Sequence, residues 1–304
     1  MHTESTRKHL DSTLAAMEDR LDAYGELARI FGPLMQEQAA LTETFATDSS
    51  PLPQVDASRL ADGVPVLTDA DCTAWAAPLA ASAKRQLPLL RKILHLDDKT
   101  GNAVQTYLND PVHLSALAQA RIKGDWKHFE NTSTQFDDLP SRNLLYISEN
   151  VFAPAFRAMV GRLGKPLSEA EWEHGRCPAC GSAPTIAYLS AKEPTDLDLV
   201  GGGGKKHLHC SLCGHDWRVK RNVCPSCGND KDETREIFTV DGRPQERIEA
   251  CHSCKSYILC IDLRECLDVP DLDAVQMGLI HLDIHAKSKG FSPMAHTLWN
   301  TLDS

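Results

Sequence analysis

The chain has no uninterrupted apolar run of the roughly 18 residues that a membrane helix needs. Its most apolar stretch, Asn143 to Val160, is broken by Glu149, Asn150 and Arg157. The first residues carry no secretory apolar core either, because Glu4, Arg7, Lys8, Asp11 and Asp19 interrupt every candidate. We therefore expect a soluble, unexported, cytoplasmic protein with no membrane insertion. Excess positive charge is also missing. Thirty-two Lys and Arg stand against 42 Asp and Glu, a net charge of -10, and a general nucleic-acid binder needs the opposite balance to neutralise phosphate. The only long glycine run, Gly201 to Gly204, lacks the Gly-Lys-Ser/Thr ending of a phosphate loop and reads as a flexible hairpin tip.

Cysteine, in contrast, is abundant and unevenly placed. Eight of the eleven cysteines form four Cys-x-x-Cys pairs between Cys177 and Cys254; Cys72, Cys260 and Cys266 lie outside. In an unexported chain such pairs point to metal rather than disulfides. No βαβ pattern surrounds them, which disfavours a thioredoxin-type redox pair.

The 304 residues suit two or three domains, and the texture changes at the first cysteine. Before residue 172 the apolar spacing is helical. Leu14, Met17, Leu21, Tyr24, Ala28 and Phe31 suggest one helix ended by Gly32-Pro33, and Leu34, Gln38, Leu41 and Phe45 a second. Residues 48–65 read as a loop. A helical pattern returns from Asp69 to Leu96, with an interruption expected near Pro78 or Pro88. Val104, Leu108, Leu117 and Ile122 give a further helical face, Leu144 to Leu163 the strongest, and Ser168 with Glu171 a capping box opening one more turn. After Cys177, the β-prone runs Thr185–Leu189, Trp217–Val219, Ile237–Val240 and Tyr257–Ile261 alternate with turns. Leu272, Val275, Leu279, Leu282 and Ala286 then mark a terminal helix stopped by Gly290.

The expected architecture is a multidomain α+β chain. It has a helical domain (1–172), two tandem four-cysteine modules of zinc-ribbon or rubredoxin type (173–220 and 221–268), and a C-terminal helix and tail (269–304).

A Cys-x-x-Cys on a tight turn presents two sulfurs to one metal ion, with backbone N–H groups directed at the thiolates. Cys177-Pro-Ala-Cys180-Gly181 and Cys224-Pro-Ser-Cys227-Gly228 have both the proline that pre-sets the turn and the glycine that closes it. Cys210-Ser-Leu-Cys213-Gly214 keeps the glycine, and Cys251-His-Ser-Cys254-Lys255 has neither. Two turns give four thiolates and a closed tetrahedral site, suited to zinc or to a mononuclear iron. With no open position, such a site does not activate water. Sequential pairing gives Cys177, Cys180, Cys210 and Cys213 in one site, and Cys224, Cys227, Cys251 and Cys254 in the other. It is favoured over crossed or nested pairing because each insert has strand-like runs and each module opens on the better turn. Eight cysteines complete two sites, which leaves His207, His209, His215 and His252 outside the ligand set. Cys72, Cys260 and Cys266 read as small buried residues.

The cysteine half resembles the FdhE family, the formate dehydrogenase accessory proteins. The likeness rests on Cys177-Pro-Ala-Cys-Gly-Ser-Ala-Pro184, Leu208-His-Cys-Ser-Leu-Cys213 with Trp217, the stretch Val219 to Cys227, and Glu249-Ala-Cys-His-Ser-Cys254 with Tyr257. It spans roughly residues 177–262 and departs from the family at Lys255, where glycine is usual. The resemblance implies rubredoxin-like modules with iron as the metal, zinc being the alternative. It also implies a non-enzymatic accessory factor that binds the catalytic subunit of respiratory formate dehydrogenase during assembly. Self-association is left open.

Two rival functions remain. An iron-based electron carrier is chemically allowed, although no flavin or nicotinamide motif is present. A zinc-ribbon nucleic-acid module is disfavoured because residues 177–260 hold eleven Lys plus Arg against eleven Asp plus Glu. Their one basic cluster is Trp217-Arg-Val-Lys-Arg221.

Overall fold

The structure is a computed structural model and describes residues 2–191 and 204–300; Gly201 to Gly203 of the expected hairpin tip lie outside that range. The N-terminal part is helical: α1 (His2–Glu18), α2 (Asp22–Phe45), α3 (Ala57–Ala61), α4 (Ala76–Ile93), α5 (Asp98–Leu108), α6 (Pro111–Lys123), α7 (Trp126–Ser133), α8 (Ser141–Leu163) and α9 (Lys165–Ser168). Aspartates account for many of the helix starts. Asp56, Asp97, Asp110 and Asp125 each accept a backbone N–H at the head of α3, α5, α6 and α7, satisfying donors that a first helical turn leaves unpaired. Part of the acidic excess is thus structural. Gly124 closes α6 in the left-handed region, at φ 67°.

The first helical break differs from expectation. The chain turns at Asp19–Leu21, and α2 runs straight through Gly32-Pro33. Gly32 is a contact residue: a Cβ there would lie 3.3 Å from Leu14 Cδ1 of α1. Close helix packing, not a helix stop, explains that glycine. Likewise Pro88 sits inside α4 without ending it. Ser168 ends α9 and donates its hydroxyl to the Lys165 carbonyl, so the capping box expected there does not form.

Seven strands follow among the described residues: β1 (Ile186–Leu189), β2 (Lys206–His209), β3 (Asp216–Val219), β4 (Arg235–Val240), β5 (Arg243–Cys251), β6 (Ser256–Asp262) and β7 (Ser292–Pro293). They make one sheet in the order β3-β2-β1-β6-β5-β4, with β7 beside β6. Hairpins β1–β2–β3 and β4–β5–β6 are antiparallel, and a central parallel pair, Ile186 opposite Leu259 through Leu189 opposite Asp262, joins them. The two cysteine repeats therefore share one sheet.

Strand alternation gives that sheet two buried faces. Ala187, Leu208, Trp217, Ile258 and Cys260 join the large core with Leu41, Leu79, Leu87, Leu117, Val151, Phe152 and Phe156 of the helices. Ile186, Ile248, Tyr257, Leu259 and Ile261 pack on Leu279, Leu282, Ala286 and Phe291 of the C-terminal segment. Each fully buried residue of this size contributes roughly 1.5–3 kcal/mol. The terminal helix is broken into α10 (Leu272–Val275), a 3-10 turn (Gln276–Leu279) and α11 (Ile280–Ser288). Gly290 follows it at φ 80°, where a stop was expected. No helix among the described residues is long and apolar enough to cross a membrane.

Candidate metal centres

Four tight turns carry the paired cysteines, and they share one backbone design. Gly181, Gly214 and Gly228 have φ of 76°, 68° and 74°, and each donates its N–H to the carbonyl of the first cysteine of its pair, at 2.9, 2.8 and 2.9 Å. The fourth turn does the same without glycine. Lys255 has φ 58°, and its N–H lies 2.9 Å from the Cys251 carbonyl. A lysine held there costs roughly 1–2 kcal/mol, partly offset because its Nζ lies 5.6 Å over the Phe291 ring.

The sulfurs fall into two groups, Cys177, Cys180, Cys210 and Cys213 (site I) and Cys224, Cys227, Cys251 and Cys254 (site II). All sulfurs within each group lie within 4.8 Å of one another. This is the sequential partition. In site I, Cys177 to Cys213 and Cys180 to Cys210 are each 3.5 Å; in site II, Cys224 to Cys254 and Cys227 to Cys251 are each 3.8 Å. Four sulfurs placed about 2.3 Å from a central ion have edges of about 3.8 Å, so both groups can hold a metal ion.

The acidities of the thiols point the same way. In site I, burial drives the Cys177 and Cys213 thiols well above their ordinary range, while hydrogen bonds from Cys177, Cys210 and Cys213 drive Cys180 well below it. Four thiols in one dry pocket cannot all ionise unaided. A bound cation removes that conflict by replacing the protons. In site II, burial pushes Cys224 up to about 12. Burial also opposes ionisation of Cys254, but the Ser256 hydroxyl and amide bring it down to about 6.

The two sites differ in setting. Site I sulfurs belong to residues no more than 2% exposed, and the helices grip its turns. Val66 and Leu67 donate backbone N–H groups to Pro178 and Ala179 carbonyls, both at 2.9 Å. Arg157 of α8 bonds the Ser211 carbonyl at 2.5 Å and Asp273 at 2.8 Å. Site II sits further out, with Cys227 exposed and Cys254 half-buried.

The histidines beside the cysteines belong to neither sulfur group. His209 bridges Asp216 (2.6 Å) and Asp273 (3.2 Å), His252 bonds Glu236 at 2.9 Å, His207 stacks on Tyr188 and His215 on Trp217. Cys72 and Cys260 are buried, and burial raises both thiols, Cys72 to about 12. Cys266 is only half-buried. Trp217 is buried and donates to the His174 carbonyl, and Lys220 pairs with Glu173. The one basic cluster therefore offers no free aromatic platform for bases. Arg121 and Ser182 flank the site I sulfurs; Ser182 lies within the Cys177–Pro184 motif, whereas Arg121, 56 residues before the first paired cysteine, belongs to no motif and carries no sequence signal.

No family model matches the chain. It is 35% identical over 121 residues to the FdhE homolog of Aquifex aeolicus, 40% of each chain. Against the FdhE homolog of Shewanella oneidensis it is 35% identical over 115 residues, 38% of this chain and 35% of the other. The matched span thus covers two fifths or less of these relatives' length. The crystal structure of the FdhE protein from Pseudomonas aeruginosa superposes with a TM-score of 0.66 at 21% identity, over 99% of this chain and 98% of that one. The chain is thus similar in sequence to FdhE proteins over two fifths of its length and shares the fold of one over nearly all of it.

Proposed function

We propose that the chain is a non-enzymatic accessory factor that binds the catalytic subunit of a respiratory formate dehydrogenase in the cytoplasm and is needed for that enzyme to become active. Residues 1–172 serve as the platform, 173–220 and 221–268 as the two metal modules, and 269–304 as the segment that closes over the sheet. The eight paired cysteines are the ligands, and iron is the metal, with zinc as the alternative. The carrying observation is the gathering of eight sulfurs into two closed sets on an FdhE fold. Closed four-thiolate shells offer stiffness and charge rather than an open position for substrate.

Co-purification with the catalytic subunit, alongside metal analysis of the anaerobically isolated chain, tests this reading. The native chain is expected to retain the subunit and about two ions. The Cys224→Ser, Cys227→Ser variant is expected to lose one ion and the subunit's activity. A native chain that retains no such subunit overturns the accessory reading.

One observation favours a second reading, electron transfer by iron in site II: exposed Cys227 brings that site to the surface. A reversible bleach of the visible thiolate-to-iron bands on reduction, with equal subunit activity in the site II variant, would select it.

A further inference from the structure

Site I has a cation at its back, and that cation comes from the helical platform. Arg121, near the end of α6, has a side chain only 13% exposed. Its Nε bonds Glu149 of α8 at 2.5 Å, which fixes the direction of the guanidinium. Its Nη2 donates to Ser182 Oγ at 3.1 Å, and that oxygen lies 3.3 Å from Cys180 Sγ. The Ser182 hydroxyl can therefore donate to the sulfur while it accepts from the arginine. The positive charge also acts directly on Cys180 and Cys210. Two other arginines approach the same turns, but both bond carbonyls: Arg157 the Ser211 oxygen and Arg176 the Gly181 oxygen.

Among the described residues, site II lacks this arrangement. The strongest influences on Cys224, Cys227 and Cys254 are burial, neighbouring cysteines, the serines 226 and 256, and backbone amides. None of these is a cation. A divalent ion with four thiolates carries two net negative charges, and in a buried site such charge requires compensation.

We propose that Arg121 is the counter-cation of site I, so that a positioning residue in the helical platform sets how tightly that site holds its metal ion. Its charge reaches the sulfurs directly and through the Ser182 hydroxyl. Among the described residues site II has no equivalent, and it holds its ion more weakly. The inference rests on the reading of the cysteines as metal ligands. It adds a link between platform and metal: a partner that separated α6 from α8 would also loosen the ion in site I.

The test uses the full chain with one site intact at a time. Cys224→Ser with Cys227→Ser leaves site I, and Cys177→Ser with Cys180→Ser leaves site II. Zinc affinity is read by competition with a chromophoric chelator. Arg121→Gln is expected to weaken site I by about 10- to 100-fold, the usual effect of losing a group that supports metal ligands. It should leave site II unchanged and raise the pH at which site I half-fills. Arg121→Lys, which keeps the charge, should recover most of the loss. Unchanged site I affinity in Arg121→Gln overturns the inference. So does equal loss in the Lys and Gln variants, which would mark a packing role. Should Arg121→Gln fail to fold, Ser182→Ala decides in the same assay: weaker zinc binding at site I supports the relay, and native affinity overturns it. If the unaltered chain binds no zinc at site I, the metal reading falls as well. Normal binding by both the unaltered and Arg121→Gln chains removes the inference alone.

Discussion

Gly175 lies so close to Pro225 that a Cβ on the glycine would sit 1.7 Å from the proline carbonyl oxygen. The linker leading into site I is thereby pressed against the first turn of site II, and only hydrogen fits between them. Gly175→Ala must push the Cys224-Pro225 turn away, at about 1–3 kcal/mol for an overpacked contact. The expected result is weaker metal retention at site II with site I intact, read by chelator competition on single-site chains. Equal retention at site II would show that the turn moves freely.

Lys255, like His95 and Asp138, holds a positive φ that its residue type disfavours, and it alone of the three closes a cysteine turn. Lys255→Gly removes the left-handed penalty but also the contact with Phe291, so a net gain of up to about 1 kcal/mol is expected. Lys255→Val should lose at least that much, because a branched side chain fits the left-handed region worst. Denaturant titration of the metal-loaded chain measures both, and a glycine variant less stable than the native chain would contradict the strain argument.

Metal removal should act in two stages. Site II, with its exposed Cys227, is expected to release its ion to a chelator first. Hydrogen exchange should then rise in β4 and β5, while β1–β3 and the helices stay protected until the second ion leaves. Simultaneous loss of protection across all strands would mean that the sheet opens as one unit.

Asp283 supplies a pH dependence away from the cysteines. Burial raises its carboxyl to about 6, even though the Tyr257 hydroxyl, donating at 2.6 Å, pulls the other way. The folded chain thus holds a proton that the unfolded chain, with its ordinary value of 3.8, has already released. Stability from this group is fully present below about pH 4 and declines as pH rises through about 6, by up to about 3 kcal/mol. Asp283→Asn keeps an acceptor for Tyr257 and carries no charge. Denaturant titrations from about pH 5 to about pH 8 should show the variant gaining on the native chain as pH rises. A constant difference would place the carboxyl in its usual range.

What could be read in advance was whatever is encoded within a few residues. The cysteine turns, with proline and glycine at fixed offsets, are of that kind, as is the helical spacing of α8. Strands β2 and β5 escaped because charged residues take enclosed positions among the apolar ones, Lys206 and Glu246 being buried and Arg247 half-buried. Lys206 is paired with Glu249, and Arg247 with Asp262, partners 43 and 15 residues away. Such pairing leaves no local apolar pattern. Gly32 and Gly175 were unreadable for a related reason. Each glycine is required by a neighbour distant in sequence, Leu14 in one case and Pro225 in the other.

The parallel seam between β1 and β6 joins residues more than seventy positions apart, Ile186 with Leu259. Apart from the short parallel pairing of β7 with β6, the other strands pair through antiparallel hairpins that close early and locally, whereas this contact waits for the last long strand to be made. During synthesis, then, β1 stands with an open edge until residue 262 has emerged, the interval in which the chain is most exposed to wrong partners. A chain split near residue 220 should carry the same seam as a docking edge on both pieces, and the halves made together should rejoin there.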